Sequence, residues 1–344
     1  MQTPQFMHEK PTSFDIAFLA GVSQPTVSRA LRGSPVVSAE TRKRIEDIAR
    51  QLNYRVDKNA SNLRSQHSNT LALLLFEDPT PDDSLINPFF LSMLGAITRA
   101  SARRGYDLLI SFQQLSNDWQ QDYEDSRKAD GIILLGYGDY EEYRPRLDRL
   151  VEQGTHFVRW GPVLDGQPGI SVGCDNAQGG YEVTRHLLAK GRGKIAFLGT
   201  ATSHYPEFFD RYRGYERATM EARAPTSAAL QVDAINLEES GFNAVNELRA
   251  RGVQFDAIVA ASDLIAIGAL RALQAVGIDV PRQVAVTGFD DIPAASLTNP
   301  PLTTVMQDTR RAGDLLVETL LRQIAGEPAA NSVIPTKLVL RKSG

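Results

Sequence analysis

Hydrophobic and polar positions follow two different rhythms along this chain. Up to about residue 52, apolar residues recur at intervals of three and four, the spacing of one helix face. From Thr70 onward, compact apolar runs take turns with amphipathic stretches, which predicts strands alternating with helices.

The first rhythm resolves into three short helices. One runs from about Ser13 to Ala20 with Ile16, Ala17 and Ala20 on its inner face, and Gly21 breaks it. Ser23 is expected to cap a second helix that ends at Leu31, because its oxygen can accept from the unpaired amides of the first turn. Pro25 has no amide to donate and is tolerated in that turn. Val27, Ala30 and Leu31 form the inward stripe. A third helix begins after Ser38 and buries Ile45, Ile48, Ala49 and Leu52. Two helices around a glycine turn, closed by a third, make a helix-turn-helix domain, placed at residues 1–56. Residues 57–69 read as a hinge, since the polar stretch 53–68 offers only Val56, Ala60 and Leu63 to pack.

The second rhythm fills residues 70–344. Strands are predicted at 71–76, 107–112, 131–136, 156–160, 194–199, 256–261 and 284–289, and Ala312, Leu315, Leu316, Thr319 and Leu320 mark a clear helix. Runs that are apolar on both faces imply parallel, doubly wound sheets with right-handed crossovers. This length exceeds one core, so two α/β lobes are expected, with a break near 167–170, crossovers near 297–305 and a ligand cleft between them.

Charge divides the chain at the same place. Residues 1–68 carry ten Lys and Arg against six Asp and Glu, whereas the remainder carries 27 against 35. A small basic head on an acidic body suits a nucleic-acid contact confined to the head. A single cysteine excludes an internal disulfide, no apolar run is long enough to span a bilayer, and the amino terminus lacks the features of a secretory signal. The expected location is therefore cytoplasmic.

With TSFDIAFLAGVSQPTVSRAL at 12–31 and ARQLNYRVDKNASNL at 49–63, the sequence resembles the lactose/galactose repressor family of transcription regulators. INPFF at 86–90, RRGY at 103–106, DGIILL at 130–135, DN with GG at 175–180, RYRGY at 211–215, VTGFDD at 286–291 and PPLTTVMQD at 300–308 follow in that family's order. The resemblance covers essentially the whole chain. It implies a helix-turn-helix head hinged to a body like that of periplasmic binding proteins, in a homodimer on a near-palindromic operator.

By position, Gln24, Pro25 and Arg29 then face base edges, Thr26 and Ser28 hold the DNA backbone, and Thr12, Ser23 and Tyr54 complete the DNA-binding set. Arg29 has the fork geometry for guanine, whereas Pro25 can supply only apolar or shape contacts. Leu63 falls where the family places a minor-groove wedge. Val56 and Asp57 replace the usual Pro-Asn pair, and Asp57 near phosphate needs a partner such as Lys58.

The same resemblance places a small-molecule effector against Phe89, Phe90, Arg159, Trp160, Arg211, Ser262, Asp263, Asp290 and Gln307. Aromatic faces with Asp and Arg on adjacent hydroxyls suit a sugar or short oligosaccharide. An inward Arg159 would favour an anionic effector such as a sugar phosphate instead. Arg211 with Asp290 also fits a purely structural pair across the cleft, and Trp119 with Tyr123 fit either cleft, dimer or core positions.

Other chemistries find weaker support. GISVG at 169–173 matches a nucleophile elbow in letters, yet Ser171 sits in an extended run with no helix at once behind it, so no enzyme activity is expected. GRGKIA at 191–196 leads into a strand rather than following one, unlike a dinucleotide site. Cys174 reads as a buried spacer, and the histidines lack ligand spacing, so no metal or cofactor is expected. A solute-binding protein of the same two-lobed body, without DNA affinity, is the competing class.

Overall fold

The computed structural model describes residues 11–54, 67–76, 86–136, 138–225 and 227–344. The chain divides into two compact units, Met1–Ser68 and Asn69–Gly344. Val56, Asp57, Lys58 and Leu63 of the hinge lie outside the described residues.

The first unit contains α1 (Ser13–Ala20), α2 (Gln24–Leu31) and α3 (Ala39–Gln51). Each starts at a hydroxyl cap: Thr12, Ser23 and Ser38 accept from the amide three residues on. Thr12 belongs to a full capping box, its own amide donating to Asp15 Oδ2 at 2.7 Å. Gly21, at φ 64°, supplies the left-handed turn into α2. Ile16, Ala17, Ala20, Val27, Ala30, Ile45 and Ala49 close the core with Val37, while Leu31, Ile48, Leu52 and Tyr54 pack at its edge.

The second unit holds two parallel sheets. The larger comprises, among the described residues, β1 (Thr70–Leu75), β2 (Asp107–Phe112), β3 (Gly131–Leu135), β4 (Phe157–Trp160), β5 (Ile170–Cys174) and β11 (Ser332–Ile334), in the order β11-β5-β4-β3-β1-β2. The smaller joins β6 (Ile195–Leu198), β7 (Gln231–Val232), β8 (Ala257–Ala260) and β9 (Ala285–Thr287) in the order β7-β6-β8-β9. Helices cover both faces. In β1, Leu71, Leu73 and Leu75 enter one core cluster and Ala72 and Leu74 another, which is why the strand reads as an unbroken apolar run.

The chain leaves the larger sheet only after Cys174, not at 167–170, because β5 still pairs with β4. Gly166, Pro168 and Gly169 make a turn between two neighbouring strands of one sheet rather than a boundary. It changes sheets again between β9 and the helix Thr309–Ile324, passing through β10 (Thr304–Met306), which bridges to the smaller sheet and pairs with β12 (Lys337–Val339). A third passage follows β11. Trp119 and Tyr123 flank and enter a π-helical turn at Gln120–Asp125 and are buried with Ala72 and Leu74, on the face of the larger sheet opposite Leu71, Leu73 and Leu75.

Candidate functional site

In the head, Pro25 and Arg29 are exposed on α2, with Gln24, Thr26 and Ser28 half-buried beside them. Ser23 caps the helix and its hydroxyl lies 2.8 Å from that of Thr26. Gln24 differs from expectation: its amide donates to Ser13 Oγ at 3.1 Å, tying α2 to α1 within the head. Thr12 is likewise engaged, its hydroxyl donating to Asp15. Arg29 is the long donor left on the outer face. Arg29→Ala is expected to cost about 1 to 3 kcal/mol of DNA affinity and to relax base preference at one position per half-site. A binding selection on randomised palindromes reads this out, and an unchanged profile contradicts it.

In the body, the helices α4 (Pro88–Arg103), α5 (Tyr140–Gln153) and α7 (Pro206–Glu221) contribute to the wall of a cavity of about 480 Å³ between the lobes, and α6 (Asn176–Ala189) packs against α7. One wall is aromatic. Phe76, Phe89, Phe90 and Trp160 line it from the larger-sheet lobe, with Phe89 centred 6.0 Å from Trp160 and 5.6 Å from Phe90. Tyr205 and Phe208 face them from the other lobe. Asn87 caps α4 by accepting from the Phe89 amide at 2.9 Å, fixing the aromatic pair at the helix start.

The polar floor is one connected group. Arg211, buried on α7, donates from Nε to Asn176 Oδ1 at 2.9 Å and from Nη1 to the Ala261 carbonyl. Its Nη1 stands 3.5 Å from Asp290 Oδ1, and its guanidinium lies 3.8 Å from the centre of the Phe289 ring. Gln307 donates to Asp290 Oδ1 at 2.6 Å and accepts from the Cys174 thiol at 2.9 Å. Burial pushes that thiol up to about 12, so it stays a neutral donor. Arg211 and Asp290 are thus paired within the smaller-sheet lobe, not across the cleft, and both line the cavity.

Asp290 and Asp291 adopt φ of 118° and 57°, which a residue with a side chain rarely takes. The Asp290 amide is held by the Val305 carbonyl at 2.8 Å, and the pair persists because neighbouring strands over-determine it. Burial raises the Asp290 carboxyl to about 6 against the opposing pull of Arg211 and Gln307.

The remaining expected residues lie elsewhere. Arg159 points to the opposite face of β4 from Trp160, donating to Gln167 Oε1 at 2.8 Å and the Pro162 carbonyl at 3.3 Å, over the Tyr140 ring. Alternation along a strand forces this: Val158 and Trp160 share one core, Phe157 the other. Ser262 caps the helix Asp263–Ala275. Asp263 accepts from Thr304 Oγ1 and, at 2.8 Å, from the Ile292 amide. Asp263, whose own amide donates to the Phe289 carbonyl at 2.7 Å, thus holds the loop that carries Asp290, and neither Ser262 nor Asp263 lines the cavity. Burial above all, then the Asp290 charge, raises the Asp263 carboxyl.

Tyr205, Glu207, Phe208, Asn87 and Asn236 line the cavity without having been singled out. The aromatic cluster HYPEFF just before RYRGY was the available signal for the first three. Among the described residues no group of three or more His, Cys, Asp or Glu could hold a metal, and no helix is long and apolar enough to cross a membrane.

Residues 14–57 match the bacterial regulatory proteins of the lacI family, and residues 184–344 match the periplasmic binding protein-like domain. The HTH-type transcriptional regulator RegA of Clostridium saccharobutylicum is 32% identical over 337 residues, spanning 96% of this chain and 98% of that protein. The chain belongs to the lacI family. Another relative, the HTH-type transcriptional regulator CelR of Thermobifida fusca, is 31% identical over 342 residues, 97% of this chain and 98% of its own length. Among solved structures, a CelR-cellobiose complex superposes with a TM-score of 0.73 at 30% identity, covering 97% of this chain and all of that one. The lac repressor dimer bound to operator and the anti-inducer ONPF gives 0.81 at 25% identity, covering 97% and 99%. As a lacI-family member the chain is a transcription regulator with a DNA-binding head and an effector-binding body.

Proposed function

We propose that this regulator is a homodimeric repressor whose operator affinity is set by a neutral sugar or short oligosaccharide bound between the lobes. The carrying observation is the composition of the cleft: aromatic walls around a fixed Arg211-Asp290-Gln307 group, with Asp139, Glu142 and Glu207 also on its lining. Aromatic faces stack on the apolar faces of pyranose rings, while forked Arg and Asp groups hold adjacent hydroxyls. An excess of carboxylates, with Arg159 turned away, opposes a sugar phosphate. The relative whose structure contains cellobiose supports a saccharide of this size.

In this mechanism the effector binds one lobe arrangement better than another and so changes the spacing of the paired hinges, residues 57–69 of each subunit. Reciprocity requires that operator and effector alter each other's affinity by one factor. The role is non-catalytic and cytoplasmic, where the operator resides. Anisotropy of a labelled palindromic duplex, titrated with neutral monosaccharides, disaccharides and sugar phosphates, tests the reading. It fails if sugar phosphates alone, or no saccharides, change DNA affinity.

A pH dependence follows from Asp290. Sugar hydroxyls donate to the carboxylate, so binding releases its proton, and effector affinity should fall by up to about tenfold per pH unit below about 6. Calorimetry in buffers of differing ionisation enthalpy measures that proton. In the unliganded fold the sign is the reverse. The raised carboxyl keeps its proton where the unfolded chain has lost it, so its stabilising contribution is full below pH 3.8 and lost as pH rises through about 6.

A further inference from the structure

We propose that His204 and Asp139 form a latch across the mouth of the cleft that governs how readily the lobes part and the effector enters. The proposal rests on the cleft being the effector site, but the contact itself does not involve the ligand. Asp139 belongs to the larger-sheet lobe, in the turn between β3 and α5; His204 belongs to the other lobe, between β6 and α7. Their side chains meet with His204 Nδ1 at 2.6 Å from Asp139 Oδ2. Close by, the Tyr140 amide donates to the His204 carbonyl at 2.9 Å.

The contact is anchored on both sides. The other oxygen of Asp139 caps α5, accepting from the amides of Glu141 at 2.9 Å and Glu142 at 3.4 Å. The first-turn amides of this helix are therefore satisfied partly by its own cap and partly by the opposite lobe. Burial works against ionisation of Asp139, but the His204 bond and the two amides outweigh it and hold the carboxyl below its ordinary range. Asp139, Glu142 and Tyr205 all line the cavity, so the latch sits on its rim.

One side-chain hydrogen bond to a carboxylate suffices to bias such an equilibrium without freezing it: its loss should raise the open population by about tenfold. His204 is half exposed, so its replacement leaves the core intact.

Trp160 on the cavity wall reports opening, and Trp119→Phe removes the only other tryptophan. In that background, His204→Ala should increase acrylamide quenching of Trp160 at least about twofold as the open state fills. His204→Asn, whose amide can donate from nearly the position of Nδ1, should restore the parent value. Unchanged quenching in His204→Ala, or no recovery in His204→Asn, overturns the latch. Quenching that follows the latch while no saccharide binds would defeat the effector reading alone. Saccharide binding with quenching indifferent to His204 would defeat the latch alone.

Discussion

Arg211→Met is expected to lower unfolding free energy by about 3 to 5 kcal/mol and to abolish the effector response. The cost comes from what the guanidinium leaves behind more than from what it contributes. Asn176 Oδ1, the Ala261 carbonyl and Asp290 all accept from or pair with it in a buried setting. Methionine can fill the space over Phe289, but it offers no donor, so three acceptors lose a partner at once. The Asp290 carboxyl, already raised by burial, loses its principal opposing charge and should rise further above 6. Denaturant unfolding across pH separates the two effects, since the stability deficit should be smaller at acid pH, where Asp290 is protonated in either protein. Operator binding by the folded fraction should persist, because the head has its own core. A variant of parent stability that still responds to saccharide would show that Arg211 is a bystander.

Much of this architecture could be read from the sequence because parallel strands buried on both faces leave unbroken apolar runs, as in β1 and β3. The cap at Ser23 was equally legible, a short hydroxyl residue placed before apolar periodicity, and Thr12 and Ser38 cap their helices in the same way. What failed has physical causes. A strand buried on both sides gives no alternation by which to orient its rare polar residue, so the direction of Arg159 was undetermined until β4 was placed. Ser262 and Asp263 look like ligand groups because buried polar residues need partners, and here the partners are a helix amide, Thr304 and the Ile292 amide. The glycines and proline at 166–169 mark a turn, and a turn signal does not say whether the next strand joins the same sheet. Burial did not follow apolarity everywhere either: Phe14 and Phe18 on α1 are 71% and 80% exposed.

Gly214→Val should disable the cleft from a position that lacks any contact with ligand. Gly214 on α7 faces α6 so closely that a Cβ would lie 2.1 Å from the Ala177 carbonyl and 2.6 Å from the Tyr181 amide. Gly180 on α6 meets α7 in the same way, 2.2 Å from the Arg211 carbonyl. Both obstacles are backbone, which cannot rotate aside. Ordinary contact begins at 3.4 Å, so the helices would have to part by about an ångström. Overpacking of this kind costs about 1 to 3 kcal/mol and occasionally more. The functional loss should exceed that figure, because α7 carries Arg211 one turn before Gly214 and α6 carries Asn176 at its start. Parting the helices stretches the 2.9 Å bond that aims the guanidinium at Asp290. Gly214→Ala already carries that Cβ and should show the same loss, to which the two further methyl groups of valine can only add. The measurement is paired: a thermal melt for stability, and the saccharide dependence of operator anisotropy for coupling. The expected pattern is a variant that still binds operator but that saccharide no longer moves. A Gly214→Val protein with parent stability and full response would mean that the two helices are not held at this distance in solution, and Arg211 would then need another source for its fixed position.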